Sequence, residues 1–242
     1  MLEQLRIENF RCFKSFELEH LGRVNLLVGK NNSGKTSILE ALKIFFSDDK
    51  NIALRNKLVK SSSLTPQESL ELFNQVVSTP EEDLVYQALQ IIEPNIERIA
   101  PIGNEIKNNS RGGFFVRLKD IQKRIPIGSM GDGIWRMLGL SLALVSAKDG
   151  VLLVDEIDTG LHYTALEDMW KLIWETSKKL NVQVFATTHS SDCWKALEAL
   201  TSREDVAEED ISIQRIEKDT RSSVAYNKEE IATAVEREIE VR

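Results

Sequence analysis

With 242 residues, 42% of them apolar and 29% charged, the chain has the make-up of an ordinary soluble globular protein and is long enough to bury a substantial core. Its formal charge of −7 speaks against a protein that coats nucleic acid, and the excess is local: residues 1–125 carry 18 Lys+Arg against 16 Asp+Glu, residues 126–242 carry 13 against 22, so any DNA contact would be local or come through a partner. No apolar run approaches the roughly 18 residues of a membrane span, and MLEQLRIENF lacks a signal-peptide pattern. Cys12 and Cys193 lack the spacing of a disulfide framework or zinc site, so a cytoplasmic protein with no membrane partner is expected.

Residues 2–8 and 12–18 alternate apolar and polar side chains as half-buried strands do, with Asn9, Phe10 and Arg11 between them. The apolar run 24–28 reads as a buried strand, and residues 29–36, GKNNSGKT, follow it. They match the phosphate-loop pattern G-x-x-x-x-G-K-[ST], with a helix expected over 34–46 behind them. In such a loop the main-chain N–H groups of Gly29, Lys30, Asn31, Asn32, Ser33, Gly34 and the helix start at Ser37 cradle phosphate oxygens. Lys35 would reach the terminal phosphates of ATP and Thr36 would offer its hydroxyl to Mg²⁺.

Two helices are announced in residues 50–100 by the same device, a threonine, a proline and a glutamate: Thr65, Pro66, Glu68 and then Thr79, Pro80, Glu82. They predict a compact helical lobe at about 50–93, with the basic run 55–60 at its edge, read as a solvated helix face in preference to a phosphate-binding patch. Strands are expected over 95–127, where FFVRLKD and KRIPI pair as a hairpin, residues 108–113 make a loop, and Lys119, Lys123 and Arg124 form a basic surface cluster.

The turn IGSMGDG precedes a long apolar helix expected over 134–147, which Ser129 could cap while the glycines leave N–H groups uncovered. It reads equally well as an anion-binding terminus or as a tight turn before a core helix. Residues 151–154, VLLV, are a fully apolar strand that ends in Asp155 and Glu156. Two carboxylates at the end of a buried strand need a metal or a partner. A phosphate-loop site supplies both: Asp155 would hold the Mg²⁺ shell and Glu156 would orient or deprotonate the attacking water.

Asp158 lies in the turn before an amphipathic helix over 163–180, and the buried strand 182–187 delivers Thr188, His189 and Ser190 to the same sheet edge, placing His189 to contact a γ-phosphate. A helix over 191–200, an acidic loop, a final hairpin from ISIQRIEK and SVAYN, and a helix capped by Asn227 and Glu230 complete the chain.

The phosphate loop, SMGDG, LLVDE, IDTGLH and TTHS stand in the order found in ABC-type ATPases, and the opening LRIENFRCFKSFEL with the SMGDG form resembles the RecF/SMC-like branch, within it the OLD family of bacterial ATPases. The resemblance covers the chain from residue 5 to its end, least closely over 50–100. It implies an α/β fold: a P-loop NTPase, an ABC-type ATPase head with an antiparallel β subdomain and an inserted helical lobe, all one domain over 1–242. It also implies that two copies pair head to tail, ATP lying between the phosphate loop of one and the signature turn of the other. By position, Ser129 and Gly131 would contact the γ-phosphate across that homodimer interface, Asp158 would sit at the joint between the sites, Glu156 would be the catalytic base, and Asn9, Phe10 and Arg11 could border the nucleotide.

The glutamine that such ATPases carry after the helical lobe has no assignment here; Gln75 and Gln87 fall in expected helices. OLD proteins often continue into a TOPRIM nuclease domain, for which this chain has no length, so a nuclease effector is expected on another chain. The function expected is an ATP-hydrolysing switch that controls such an effector in phage defence or DNA maintenance. A non-catalytic ATP-binding scaffold and the ATP-binding subunit of a transporter are the alternatives. The intact Lys35, Asp155, Glu156 and His189 weigh against the first, the SMGDG turn and RecF-like opening against the second.

Overall fold

The chain opens with an antiparallel hairpin, β1 (Leu5–Phe10) and β2 (Phe13–Leu18), whose tight turn holds Asn9 and Arg11 at positive φ. Then come β3 (Val24–Val28), α1 (Lys35–Ser47), β4 (Lys57–Val59), α2 (Pro66–Val76) and α3 (Glu82–Ile92). The strands β5 (Ile96–Pro101), β6 (Phe114–Leu118) and β7 (Ile121–Pro126) form a separate antiparallel sheet. A single 3₁₀ turn at Ile127–Ser129 leads into α4 (Asp132–Ser146), followed by β8 (Val151–Val154), α5 (Leu166–Leu180), β9 (Gln183–Thr187), α6 (Ser191–Ala196), β10 (Ile211–Arg215), β11 (Val224–Tyr226) and α7 (Lys228–Glu236). This computed structural model describes residues 1–47, 55–102, 113–119, 121–218 and 220–241. Most of the loop expected at 108–113 lies outside the described residues.

The main sheet runs β11-β10-β3-β9-β8-β4, with the five strands from β10 to β4 parallel and β11 antiparallel at one edge. Parallel strands need cover on both faces, which is why β3, β8 and β9 are buried at every position and read as continuous apolar runs. Successive side chains alternate between the faces. Leu27, Val151, Leu153 and Phe185 pack with α1 and the β1–β2 hairpin on one side. Leu26, Leu152, Val154 and Val184 pack with α2 to α5 on the other. One polar residue interrupts β3: Asn25 is fully buried, and its amide accepts from Gly22 N–H and donates to Gly22 and Val184 carbonyls at 2.8, 2.8 and 3.1 Å. With its polar atoms paired, it ties β3 to β9 instead of weakening the core.

Two local expectations change. The basic run 55–60 is not a helix face: Lys57–Val59 is a short strand at the open edge of the main sheet, with Val59 fully buried beside Val154. Hydrogen bonding to β8 outweighs the local pattern there. The helices of the expected lobe pack on the main core, where Phe73, Leu84, Val85 and Leu89 join Ile134, Leu138 and Leu142 of α4. Finally, the two threonine-proline devices behave differently. Thr65 forms a full capping box with Glu68 and Pro66 takes the first helical position. Thr79 instead donates its hydroxyl to Val76 C=O at 2.6 Å, and α3 begins later, without a side-chain cap.

Replacing Thr65 by Ala should therefore cost about 1 kcal/mol. Thr79→Ala should cost distinctly less. Urea denaturation of the two variants checks the difference, and equal losses would mean that the Thr65 box contributes nothing special.

Candidate nucleotide site

The phosphate loop leaves the carboxyl end of β3 and enters α1. The first helical bond, Ile38 N–H to Gly34 C=O at 3.0 Å, leaves the N–H groups of Gly34, Lys35, Thr36 and Ser37 without partners inside the helix. These, with the dipole of a 13-residue helix, make an anion site. Gly34 has φ +104, and a β-carbon there would lie 2.4 Å from Phe13 Cζ. The β1–β2 hairpin thus rests on the loop itself and forbids any larger residue at that position. Arg11, at the hairpin tip, pairs with Glu40 of α1 at 3.0 Å, so that stretch borders the loop through α1.

Lys35 is only 5% exposed. Its ammonium donates to the carbonyls of Gly29 and Lys30 at 2.7 and 2.9 Å. Burial pulls its pKa below the usual lysine value, and the charges of Asp155 and Glu156 work against that shift. Those two carboxylates leave the carboxyl end of β8, two strands away in the order β3-β9-β8. Thr36 Oγ1 stands 3.4 Å from Asp155 Oδ1. Thr36 and Asp155 are hard oxygen donors close enough to share one cation, which suits an ion that takes one or two protein oxygens and fills its octahedron with water and phosphate. Ser33 Oγ, buried in the loop, has no hydrogen-bond partner among the described residues. The residues present fit Mg²⁺ and a triphosphate.

Behind the carboxylates stands Thr187, the last residue of β9. Its hydroxyl donates to Asp155 Oδ1 at 2.7 Å and accepts from Glu156 N–H at 2.8 Å. Glu156 itself has φ +48, a left-handed conformation that costs on the order of 1 kcal/mol for a residue with a side chain. Its carboxylate lies 3.9 Å from His189 Nε2 and accepts from Thr159 Oγ1 at 3.3 Å. Next to Thr187, fully buried Thr188 donates to Asp158 Oδ1 at 2.6 Å. Thus β9, lying between β3 and β8, holds Asp155 and Asp158 through consecutive threonines and presents His189 to Glu156.

Sequence reading passed over Arg136, on α4. It is 2% exposed, and its guanidinium donates to the carbonyls of Lys60 at 2.7 Å, Asp155 at 2.9 Å, Glu156 at 2.7 Å and Ile157 at 3.5 Å. Burial lowers its pKa to about 10, against the pull of Asp158, Asp155 and Glu156, so it stays charged at neutral pH. Charge-assisted bonds contribute about 1.5–3 kcal/mol each. Three short ones are of the order of the several kcal/mol needed to desolvate a cation. A lone arginine in an apolar helix was the available signal, but its partners are main-chain carbonyls that no side-chain pattern announces.

The signature turn is placed apart. Ser129 and Gly131 are exposed, and α4, which they head, covers the face of the sheet opposite α1. Ser129 does not cap α4: its hydroxyl donates to Pro126 C=O at 2.7 Å, closing the 3₁₀ turn, and the N-cap position belongs to Gly131. Gly131 has φ +95, and nothing lies within 4 Å of where a β-carbon would be. Backbone conformation, not crowding, calls for glycine there, and the surface above it is open.

The model of the AAA ATPase domain family matches residues 1–92 and 52–193. An ATP/GTP phosphatase of Helicobacter pylori is 28% identical over 105 residues, 42% of this chain and 28% of its own. The DNA replication and repair protein RecF of Clostridioides difficile is 54% identical over 41 residues, 17% of this chain and 11% of its own. The chain thus spans under a third of the length of these curated relatives. The SMC head domain from Thermotoga maritima superposes with a TM-score of 0.55 at 15% identity, over 93% of this chain and 98% of that one. Among the described residues, no helix is long and apolar enough to cross a membrane.

Thr187→Val keeps the shape but leaves Glu156 N–H unpaired in a half-buried setting, so a loss of about 1–3 kcal/mol is expected. Chemical denaturation measures it. A variant as stable as the parent would show that water replaces the hydroxyl at no cost.

Proposed function

The chain belongs to the AAA ATPase domain family and is an ABC-type ATPase of the RecF/SMC branch, and from that premise we propose that it is a nucleotide-driven switch. Two copies close head to tail over two ATP molecules, and closure controls a separate effector, a nuclease serving phage defence or DNA maintenance. The observation that carries this reading is the placement of the two features expected to contact phosphate. The phosphate loop and the signature turn belong to helices on opposite faces of one sheet. A triphosphate held by Lys35 therefore meets Gly131 most simply when that glycine comes from a second copy.

Within each site, Lys35 and the N–H groups at the start of α1 hold the β- and γ-phosphates. Mg²⁺, when held by Thr36 and Asp155, supplies positive charge against the phosphate oxygens. Glu156 orients a water for in-line attack on the γ-phosphorus and takes its proton while the bond to the bridging β–γ oxygen breaks, giving ADP and phosphate. His189, 3.9 Å from Glu156, faces the γ-phosphate side and keeps the carboxylate in register with it. Thr188 holds Asp158, which in the closed pair would sit at the joint between the sites. For ATP to act decisively it must favour the closed pair by about 5.5 kcal/mol, the shift from 1:99 to 99:1. Two triphosphates, each gripped by both copies, are a sufficient source.

Glu156→Gln should lower phosphate release by roughly 10²- to 10⁴-fold while binding ATP and accumulating as a dimer in light scattering. If it stays monomeric with ATP, the switch reading fails. Equal phosphate release by the variant and the parent would instead support a scaffold that binds ATP without using it.

A further inference from the structure

One feature of the site is costly and is used by none of the steps above: the buried guanidinium of Arg136. Its partners are consecutive carbonyls. Nη2 donates to both Asp155 and Glu156, which the left-handed conformation of Glu156 turns to the same side, and Nε reaches Ile157. Nη1 meanwhile holds Lys60, at the end of β4. One side chain therefore fixes the main chain from which both carboxylates project.

The helix that supplies Arg136 is the one headed by the signature turn. Arg136 lies about one turn behind Asp132. A second contact joins the same two parts: a β-carbon at Gly133 would lie 3.3 Å from Gly160 C=O, and one at Gly160 would lie 3.2 Å from Asp132 Cβ. The helix start and the turn that follows Glu156 are thus in close contact at two places, one a cluster of hydrogen bonds, the other a glycine-to-glycine approach.

We propose that Arg136 is a positioning residue for hydrolysis, locking the signature helix to the main chain of Asp155 and Glu156 so that the two move as one body. Displacement of the 129–131 turn by a phosphate of the neighbouring copy would then carry Glu156 with it, so that engagement at one site sets the base at the other. This second half rests on the nucleotide-bridged dimer proposed above. The first half does not, since the grip lies within one chain.

The test uses Arg136→Lys and Arg136→Met, alone and on the Glu156→Gln background. Binding is followed by titration with a fluorescent ATP analogue and turnover by single-turnover phosphate release. If Arg136 acts through Glu156, both single variants should bind the analogue within about threefold of the parent, and turnover should fall tenfold or more. Lysine should fall less than methionine because it keeps the charge and one or two of the carbonyl bonds. On the Glu156→Gln background the same substitutions should add less than a twofold further loss, since the group being positioned is already gone. Parent-like turnover in Arg136→Met, or losses that multiply on the Glu156→Gln background, would overturn the proposal.

Gly133→Ala provides an arm that leaves the buried cation in place, should the Arg136 variants fail to fold. It presses the helix start against Gly160 and should lower turnover at unchanged analogue affinity; unchanged turnover would count against the lock. Light scattering of the same proteins with ATP keeps the two readings apart. A constant monomer with non-additive losses refutes the dimer and keeps the positioning role. A normal dimer with multiplying losses refutes the role alone.

Discussion

Parallel pairing of β3, β9 and β8 is the constraint on which the candidate site depends. Each strand of such a sheet ends at the same edge, so the phosphate loop, the Asp155–Glu156 pair and the Thr188–His189 pair arrive there together although they are separated by as much as 160 residues of chain. The order matters as much as the direction. With β9 in the middle, its terminal threonines reach the carboxylates on β8 and its histidine follows at the same edge. A chain in which β8 lay beside β3 would bring the same residues to the edge but remove Thr187 from between them.

Charge balance at that edge explains the burial of two cations. Asp155, Glu156 and Asp158 concentrate negative charge within four residues, and the chain is acidic overall. Lys35 faces these carboxylates from the loop, and Arg136 stands behind them, bound to carbonyls instead of carboxylates. The division has a physical logic. A guanidinium paired directly with Glu156 would neutralise the carboxylate proposed to accept a proton, whereas one bound to main-chain oxygens fixes position and leaves that carboxylate 42% exposed and open to water.

Much of the fold was legible along the chain because its signals are local. The buried run at 24–28, the loop behind it and the capping box at Thr65 each involve residues within a few positions of one another. Less legible were features set by distant neighbours. Residues 57–59 carry two lysine-flanked apolar positions that suit a helix face as well as a strand, and only the edge of β8 decides between them. The cap assigned to Ser129 failed for a similar reason: the 3₁₀ turn claims its hydroxyl for Pro126 C=O before α4 begins. Thr187 and Arg136 escaped notice because one sits inside an apolar strand and the other inside an apolar helix, where a polar residue has no pattern to join.

Sequence alone determined which element carries each candidate group: a phosphate loop between a strand and a helix, two carboxylates at a strand end, a histidine after another strand, and a glycine-rich turn before a long helix. Those placements hold because each needs only a short segment with its own conformational requirement. Tertiary structure alone decided which of these groups share one face of the sheet and what holds them there. Strand order placed Thr187 between the carboxylates and the loop, the opposite placement of α1 and α4 separated the signature turn from its own phosphate loop, and Arg136 found carbonyls from two separate segments. Hydrogen bonds to main-chain oxygens carry no residue identity, so no reading of side chains could have announced them.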